Sequence, residues 1–372
     1  MTTTAPRTNT VAALRGRVLR LAERLTTPLI PADYLDVIDP LRFGAALRGR
    51  IVAINPETRD AATLVIKPGR GWRGHRPGQY IRIGVDVDGI RQWRAYSLTS
   101  TVGRTDGCIT ITVKTMPDGI VSTYLVRRAT VGTVIQLDQA AGDFTLGSPV
   151  PDKILFVTAG SGITPVMGML RNMAQLVDDG RESTTRPDIV VVHSAPTAHD
   201  VIFGGELRML ARHRRIRLVE IHTDSAGTLD AIGLGRIVGD LAERHTWACG
   251  PTGLLNFLES HWAADGVAHR LHTERFRPAV IPTGDGGTVT FSVTDTTAEN
   301  DGARSLLDTG EAAGVFMPSG CRMGICFGCV APLRRGAVRD LRTGEVTTAV
   351  EGDGVVIQTC ISAAAGTCDI EL

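Results

Sequence analysis

A chain of 372 residues is too long for one ordinary hydrophobic core and calls for two or three domains. Its 40 basic and 39 acidic residues leave a net charge of +1, which excludes the basic footprint of a nucleic-acid binder. No stretch approaches twenty uncharged apolar residues, and the N-terminal MTTTAPRTNTVAALRGR has no apolar run of signal-peptide length, so a soluble, cytoplasmic chain with reduced thiols is expected.

Residues 1–46 read as an extension. Val11, Leu14, Val18, Leu21, Ala22 and Leu25 recur at helical spacing, and Arg15, Arg17, Arg20 and Arg24 fill much of the remaining circumference. The spacing predicts a basic amphipathic helix over 11–25, which packs on the protein's own body or docks peripherally on an anionic membrane or a membrane-bound partner. Pro28, Pro31 and Pro40 then enforce an extended stretch.

From 47 to 148 the chain changes to short alternating runs, RGRIVAI, ATLVIKP, QYIRIGV, CITITVK and TVIQLDQ, separated by Gly and Pro turns. Many short strands of this kind predict an antiparallel barrel. Within it Arg94, Tyr96, Ser97, Leu98 and Thr99 lie on one strand, where a cation, a ring and a hydroxyl can meet a flavin; an exposed strand with a surface arginine is the plainer alternative. Downstream, Val113 and Lys114 precede a glycine turn, Gly119 to Ser122 with Val121 inside it. This turn opens a helix whose first amides and Ser122 hydroxyl suit a phosphate.

From 149 to 276 apolar strands (KILFVTAG, DIVVVHSA, IRLVEIHT) alternate with helical segments (PVMGMLRNMAQLV, GELRMLARHR, LLNFLESHWAA), the rhythm of a parallel-sheet α/β domain. The first strand runs into Gly160, Gly162, Thr164 and Pro165, a glycine turn that lets backbone approach a dinucleotide. The third glycine of the usual fingerprint is replaced by Pro165. A second strand end, Cys249-Gly250-Pro251, places a thiol where two strand termini can meet a nicotinamide, unless Cys249 is simply a buried structural residue.

Residues 277–287, RPAVIPTGDGG, read as a linker, and 288–372 as a small α+β domain. Here Cys321, Cys326, Cys329 and Cys360 have the spacing of a plant-type [2Fe-2S] ferredoxin rather than of a zinc ribbon with two C-x2-C knuckles. Residues 287–372 carry six arginines and eleven acidic residues, a balance of −5 that leaves +6 on the remainder. An acidic cluster domain is thus expected to dock on basic neighbours.

Taken together, RAYSLT, GIVS, AGSGITP, ACGPT, the Glu274-Arg-Phe276 triplet and the appended CRMGICFGC resemble the ferredoxin-NADP reductase superfamily, in its oxygenase-reductase branch with a C-terminal [2Fe-2S] domain. The resemblance implies an FAD-binding β-barrel, an NAD(P)-binding domain and a β-grasp ferredoxin domain. It implies that Arg94 holds the FAD pyrophosphate, Tyr96 stacks on the isoalloxazine, Ser97 bonds its reactive edge, and the Gly119–Ser122 turn binds phosphate. Thr164, Cys249 and Glu274 would line the nicotinamide pocket, with Phe276 near the flavin.

NAD(P)H delivers two electrons at once and a [2Fe-2S] cluster takes one at a time, so the flavin belongs between them. Ser97 and Glu274 are the expected tuning groups. The extension together with RMGICFGC, RDLRTGE and IQTC is most similar to actinobacterial reductases that serve membrane acyl-CoA desaturases. The electron acceptor expected on that resemblance is a membrane di-iron desaturase or hydroxylase, with a Rieske-type ring or steroid hydroxylase or a cytochrome P450 as the alternative. A redox-sensing iron-sulfur binding module is the alternative from another class. For the donor, Ser194 to Thr197 or His222 to Ser225 should face the adenosine ribose; neither stretch holds an arginine, and NADH and NADPH both remain open.

Overall fold

In the computed structural model the described residues are 41, 47–87, 90–117, 119–178, 187–229, 231–276, 286–320, 322, 324 and 327–372. The amphipathic helix expected over 11–25, most of the proposed linker, Cys321 and Cys326 lie outside them.

The alternating runs form β1 (Arg48–Thr58), β2 (Ala61–Pro68), β3 (Tyr80–Val87), β4 (Ile90–Ser97), β5 (Ile109–Lys114) and β6 (Val134–Leu137). All pairings are antiparallel, in the order β4-β3-β6-β1-β2-β5. The two edge strands meet where Leu98 bridges Ile111 and the Thr99 amide donates to the Thr110 carbonyl at 2.8 Å, closing the sheet into the expected barrel. Inside it Ile51, Leu64, Ile66, Ile81, Ile83 and Ile111 are fully buried. The chain turns at Gly119 into the single turn α1 (Ile120–Thr123).

The second domain is a five-stranded parallel sheet, β11-β10-β7-β8-β9, made of β7 (Lys153–Ala159), β8 (Asp188–Ala195), β9 (Arg217–His222), β10 (His245–Cys249) and β11 (Leu271–Glu274). Separate apolar clusters bury the residues of its two faces, which is why its strands read as nearly continuous apolar runs. The main helices are α2 (Ile163–Asp178), α3 (Gly204–Arg212), α4 (Ala231–Ile237) and α5 (Thr252–Ala264).

Barrel and sheet are fastened together by α2. Arg171 donates to the Thr99 carbonyl at 2.7 Å while pairing with Glu206, and Asn172 bonds the Ser100 carbonyl at 3.2 Å and the Val102 amide at 2.7 Å. A Cβ on Gly168 would come within 2.4 Å of the Leu98 carbonyl oxygen, so glycine sets how closely the helix approaches the loop after β4.

The C-terminal domain is a mixed sheet, β13-β12-β17-β14-β15 with β16 added to β14, packed against α6 (Leu306–Ala312). Its strands are β12 (Gly287–Phe291), β13 (Thr296–Asn300), β14 (Val330–Asp340), β15 (Val346–Ala349), β16 (Val356–Gln358) and β17 (Ser362–Ile370). The parallel pairing of β12 with β17 beside a helix is the β-grasp arrangement expected. Gly287 begins β12, so the last residue of the expected linker belongs to the sheet.

Candidate functional site

The register of β4 against β3 pairs Arg94 with Ile83 and Tyr96 with Ile81, so the two side chains share one face of β4. Arg94 donates to the Trp93 carbonyl at 2.7 Å, and among the described residues no carboxylate lies within ion-pair distance. Burial and the charge of Arg322 lower its pKa. Asp308 and Glu311 act on it only from beyond ion-pair distance, and a half-buried cation that no described carboxylate pairs is suited to an anionic ligand such as a pyrophosphate. Burial raises the Tyr96 phenol, which stays neutral. Ser97 is 3% exposed and its Oγ has no hydrogen-bond partner among the described residues; the Ser100 hydroxyl is in the same state. Unpaired buried hydroxyls at the end of this strand and just beyond it are what a polar cofactor edge would satisfy.

Other members of the expected set serve the scaffold. The side chains of Leu98, Val113 and Val121 lie in the barrel core, and the Thr99 hydroxyl bonds Thr110 at 2.8 Å, leaving only backbone at these positions for a cofactor. Lys114 is paired with Asp60 at 2.6 Å. The Ser122 hydroxyl is absorbed by its own turn, donating to the Gly119 carbonyl at 3.2 Å and accepting from the Met116 amide at 3.1 Å. A phosphate here would therefore meet amides, not the hydroxyl expected from the sequence.

At the parallel sheet, Glu274, Cys249, Thr158, His193 and Glu220 stand in one register row across all five strands, near their C-terminal ends. This is the edge where open parallel sheets bind ligands. Cys249 is fully buried, and burial, reinforced by Glu274, pushes its thiol well above the usual range. Burial also raises the Glu274 carboxyl to about 8, and its Oε2 has no partner. At neutral pH this end of the row thus holds an uncharged, buried thiol and a carboxyl that keeps its proton. Phe276 packs on the apolar cluster below the same edge.

Gly160, with φ +53, starts the turn after β7, and a Cβ on Gly162 would lie 2.0 Å from the Cys249 carbonyl oxygen. That glycine lets the turn and the end of β10 touch. Thr164 bonds the Ser161 carbonyl at 2.9 Å, and Pro165 is buried in the first turn of α2. Pro251 precedes α5, and Gly250 packs against Ala159 and Leu254.

His193 did not stand out in the sequence. It is fully buried, its Nδ1 lies 2.8 Å from the Thr158 hydroxyl, its Nε2 has no partner, and burial lowers it to about 4, so the ring is neutral. The available signal was one imidazole inside the apolar run DIVVVHSA. Of the two stretches expected to face a ribose, Ala195 aligns with His222 and the Asp224 amide donates to the Pro196 carbonyl at 3.2 Å, so they form one surface. Arg208 is held by Glu220 at 2.7 Å.

In the third domain Cys329 and Cys360 are both buried, and hydrogen bonding from Cys360, supported by Thr359, lowers the Cys329 thiol below the usual range. Gly324 has φ +73, and a Cβ there would meet Arg342 and Ile361 at 2.8 and 2.9 Å. Neighbouring buried thiols, one pulled toward thiolate, beside a glycine-dependent loop fit the donor chemistry of an iron-sulfur cluster. Arg322 of this loop pairs with Asp308 and Glu311 of α6, and its Nη2 lies 3.5 Å from the Gln92 side chain on β4. The cluster loop therefore abuts the strand that carries Arg94, Tyr96 and Ser97.

Three family models match in chain order: an oxidoreductase FAD-binding domain over 54–146, an oxidoreductase NAD-binding domain over 156–260 and a 2Fe-2S iron-sulfur cluster binding domain over 289–365. The chain is 48% identical over 358 residues to an NADPH oxidoreductase of Mycobacterium tuberculosis, covering 95% of this chain and 91% of that one. It is 30% identical over 314 residues to the ferredoxin reductase component of 3-ketosteroid-9-alpha-monooxygenase of Mycolicibacterium smegmatis, covering 78% and 86% respectively. Among solved structures it superposes on phthalate dioxygenase reductase with a TM-score of 0.58 at 21% identity, covering 88% of this chain and 98% of that one, a likeness of fold.

Proposed function

Because the chain belongs to the ferredoxin-NADP reductase-type flavoproteins with a C-terminal [2Fe-2S] domain, a family that uses NAD(P)H, FAD and the cluster, we propose that it supplies electrons to a membrane di-iron desaturase or hydroxylase. The order of flow rests above all on the contact between the cluster loop, through Arg322, and β4, through Gln92. When bound, FAD supplies the exchange between a two-electron hydride donor and a one-electron cluster. One NAD(P)H yields NAD(P)+, one proton and two electrons, so two one-electron deliveries follow each hydride.

The protein's own residues bind, orient and exclude water. With FAD bound, Arg94 would neutralise its pyrophosphate, Tyr96 would present its ring to the isoalloxazine, and Ser97 would donate its hydroxyl to the reactive edge. Cys249 and the protonated Glu274 offer an uncharged floor to the nicotinamide, whose ring gains positive charge as hydride leaves; a thiolate and a carboxylate there would bind the oxidised product too well. Cys321, Cys326, Cys329 and Cys360 hold the cluster. NADPH is the donor we favour, on the name of the relative at 48% identity.

The desaturase assignment is supported by the basic amphipathic pattern over 11–25 and the strings PADYLDVIDPL and RDLRTGE. A Rieske-type oxygenase is the second reading, favoured by the relative that serves 3-ketosteroid-9-alpha-monooxygenase. Deleting residues 1–46 discriminates. The desaturase reading expects turnover with desaturase-containing membranes to collapse while NADPH-dependent cytochrome c reduction stays intact; a full-length protein that reduces cytochrome c but drives no turnover with those membranes would leave the Rieske reading in its place.

A further inference from the structure

Among the described residues of the loop bearing the cysteine motif, two that are not glycine have left-handed backbone, and they have opposite surroundings. Arg322, φ +58, is 18% exposed and faces α6 and the barrel. Phe327, φ +55, is 68% exposed. Left-handed backbone is unfavourable for a bulky aromatic, and an exposed ring gains nothing from the core, so neither folding nor packing accounts for phenylalanine here.

The neighbouring ribbon extends the same apolar surface. Pairing of Val330 with Gln358 and of Pro332 with Val356 puts these side chains on one face of β14 and β16, while Ala331 and Ile357 are buried on the other. Val330 is 37% exposed and Val356 61%. Beside this strip the loop after β15 carries the exposed acids Glu351, paired with Arg334 of β14 at 2.5 Å, and Asp353, in a domain whose balance is −5. The buried Cys329 lies two residues beyond Phe327, and Cys360 two residues beyond Gln358, so the strip borders the cluster ligands.

We propose that Phe327, flanked by Val330, Pro332 and Val356, is the anchor on which the acidic cluster domain docks its electron-accepting protein, and that this partner presents an apolar pocket within a basic rim. An exposed aromatic centred in an apolar strip with a charged border is the anatomy of an interface hot spot. The domain's balance of −5, with Asp353 exposed beside the strip, selects a basic protein over an anionic lipid surface, which a net negative domain would avoid. Arg322 and Phe327 divide the loop into an inward side that meets the flavin barrel and an outward side left open for the acceptor. The proposal rests on the cluster domain being the exit of the electron path.

Cytochrome c, a basic haem protein, serves as the probe for the full-length holoprotein. Phe327→Ala is expected to raise the KM for cytochrome c about tenfold with kcat at saturation, ferricyanide reduction and cluster absorbance unchanged. Phe327→Gly keeps the left-handed backbone without steric cost, so thermal stability should hold or rise while the KM still increases. Val356→Ser, on a separate strand, should raise it about threefold. An unchanged KM in Phe327→Ala and Val356→Ser overturns the docking site. Wild-type binding to phosphatidylglycerol vesicles that Phe327→Ala abolishes, with KM unchanged, replaces it with a membrane contact. A wild-type holoprotein that reduces ferricyanide but not cytochrome c overturns the exit reading itself, and this proposal with it.

Discussion

Cys249 and Glu274 stand directly opposite each other at the ends of adjacent parallel strands, and the carboxyl is lifted to about 8 by its burial. Its folded pKa lies above the unfolded value near 4.5. The proton is therefore bound more tightly in the folded protein, and this contribution to stability is full below pH 4.5 and lost as pH rises through 8. Glu274→Gln should remove that slope. Thermal melts of wild type and variant should differ little at pH 5, and the variant should be increasingly the more stable of the two up to pH 9; a gap independent of pH would mean the carboxyl is ionised in the fold.

Gly162 touches the Cys249 carbonyl so closely that a methyl group cannot be inserted without moving the turn or the end of β10. Gly162→Ala should lower kcat/KM for NADPH by roughly a hundredfold, the scale of a misplacement of about 1 Å in a reacting pair, while FAD content is retained. Gly205→Ala is the control, since open space surrounds that position. Equal kinetics for the two variants would remove Gly162 from the nucleotide site.

Ser97 tests the flavin assignment because its hydroxyl is buried without a partner when no cofactor is counted. Ser97→Ala removes an unsatisfied group, so flavin-free protein should be no less stable. FAD affinity should fall up to about tenfold, the worth of one hydrogen bond of 0.5–1.5 kcal/mol. Unchanged FAD affinity, measured by flavin fluorescence on titration, would place the reactive edge elsewhere.

The three-domain order was legible because each domain writes its fold into local periodicity: alternation in RGRIVAI, continuous apolar runs in KILFVTA and DIVVVHSA, and cysteine spacing in CRMGICFGC. The positions of Gly162 in the turn after a buried strand and of Cys249 at a strand end were legible too, since each follows directly from an apolar run. What a motif string cannot show is the direction of a side chain or the partner it already has. The Thr99 hydroxyl and the Lys114 ammonium read as ligand groups, but strand pairing commits them to Thr110 and Asp60. His193, Arg171 and Arg322 were missed for the converse reason. Their meaning comes from contacts with Thr158, Thr99 and Gln92, all distant in sequence.

Arg171 links the halves that must hold the two organic cofactors in register. Its guanidinium bonds the Thr99 carbonyl, pairs with Glu206 and lies 4.8 Å above the Phe203 ring. Arg171→Ala should cost about 1–3 kcal/mol of stability and leave that carbonyl unpaired. Its functional mark should be slower flavin reduction by saturating NADPH in stopped flow with FAD content intact. A drop in stability with an unchanged reduction rate would confine Arg171 to the scaffold.

Cys329 separates the flavin from the cluster. Its thiol is buried beside Cys360 and drawn toward thiolate, whereas a serine hydroxyl has little tendency to ionise and is a poor ligand for iron. Cys329→Ser in the full chain should lose the visible absorbance of the cluster and nearly all NADPH-dependent reduction of cytochrome c, while ferricyanide, which can take electrons at the flavin, is still reduced within about twofold of the wild-type rate. Because the barrel and the parallel sheet hold their own apolar cores, loss of the cluster need not disturb FAD binding. If both activities fell together with FAD still bound, the cluster would not lie downstream of the flavin, and the direction of flow inferred from the Arg322–Gln92 contact would be wrong.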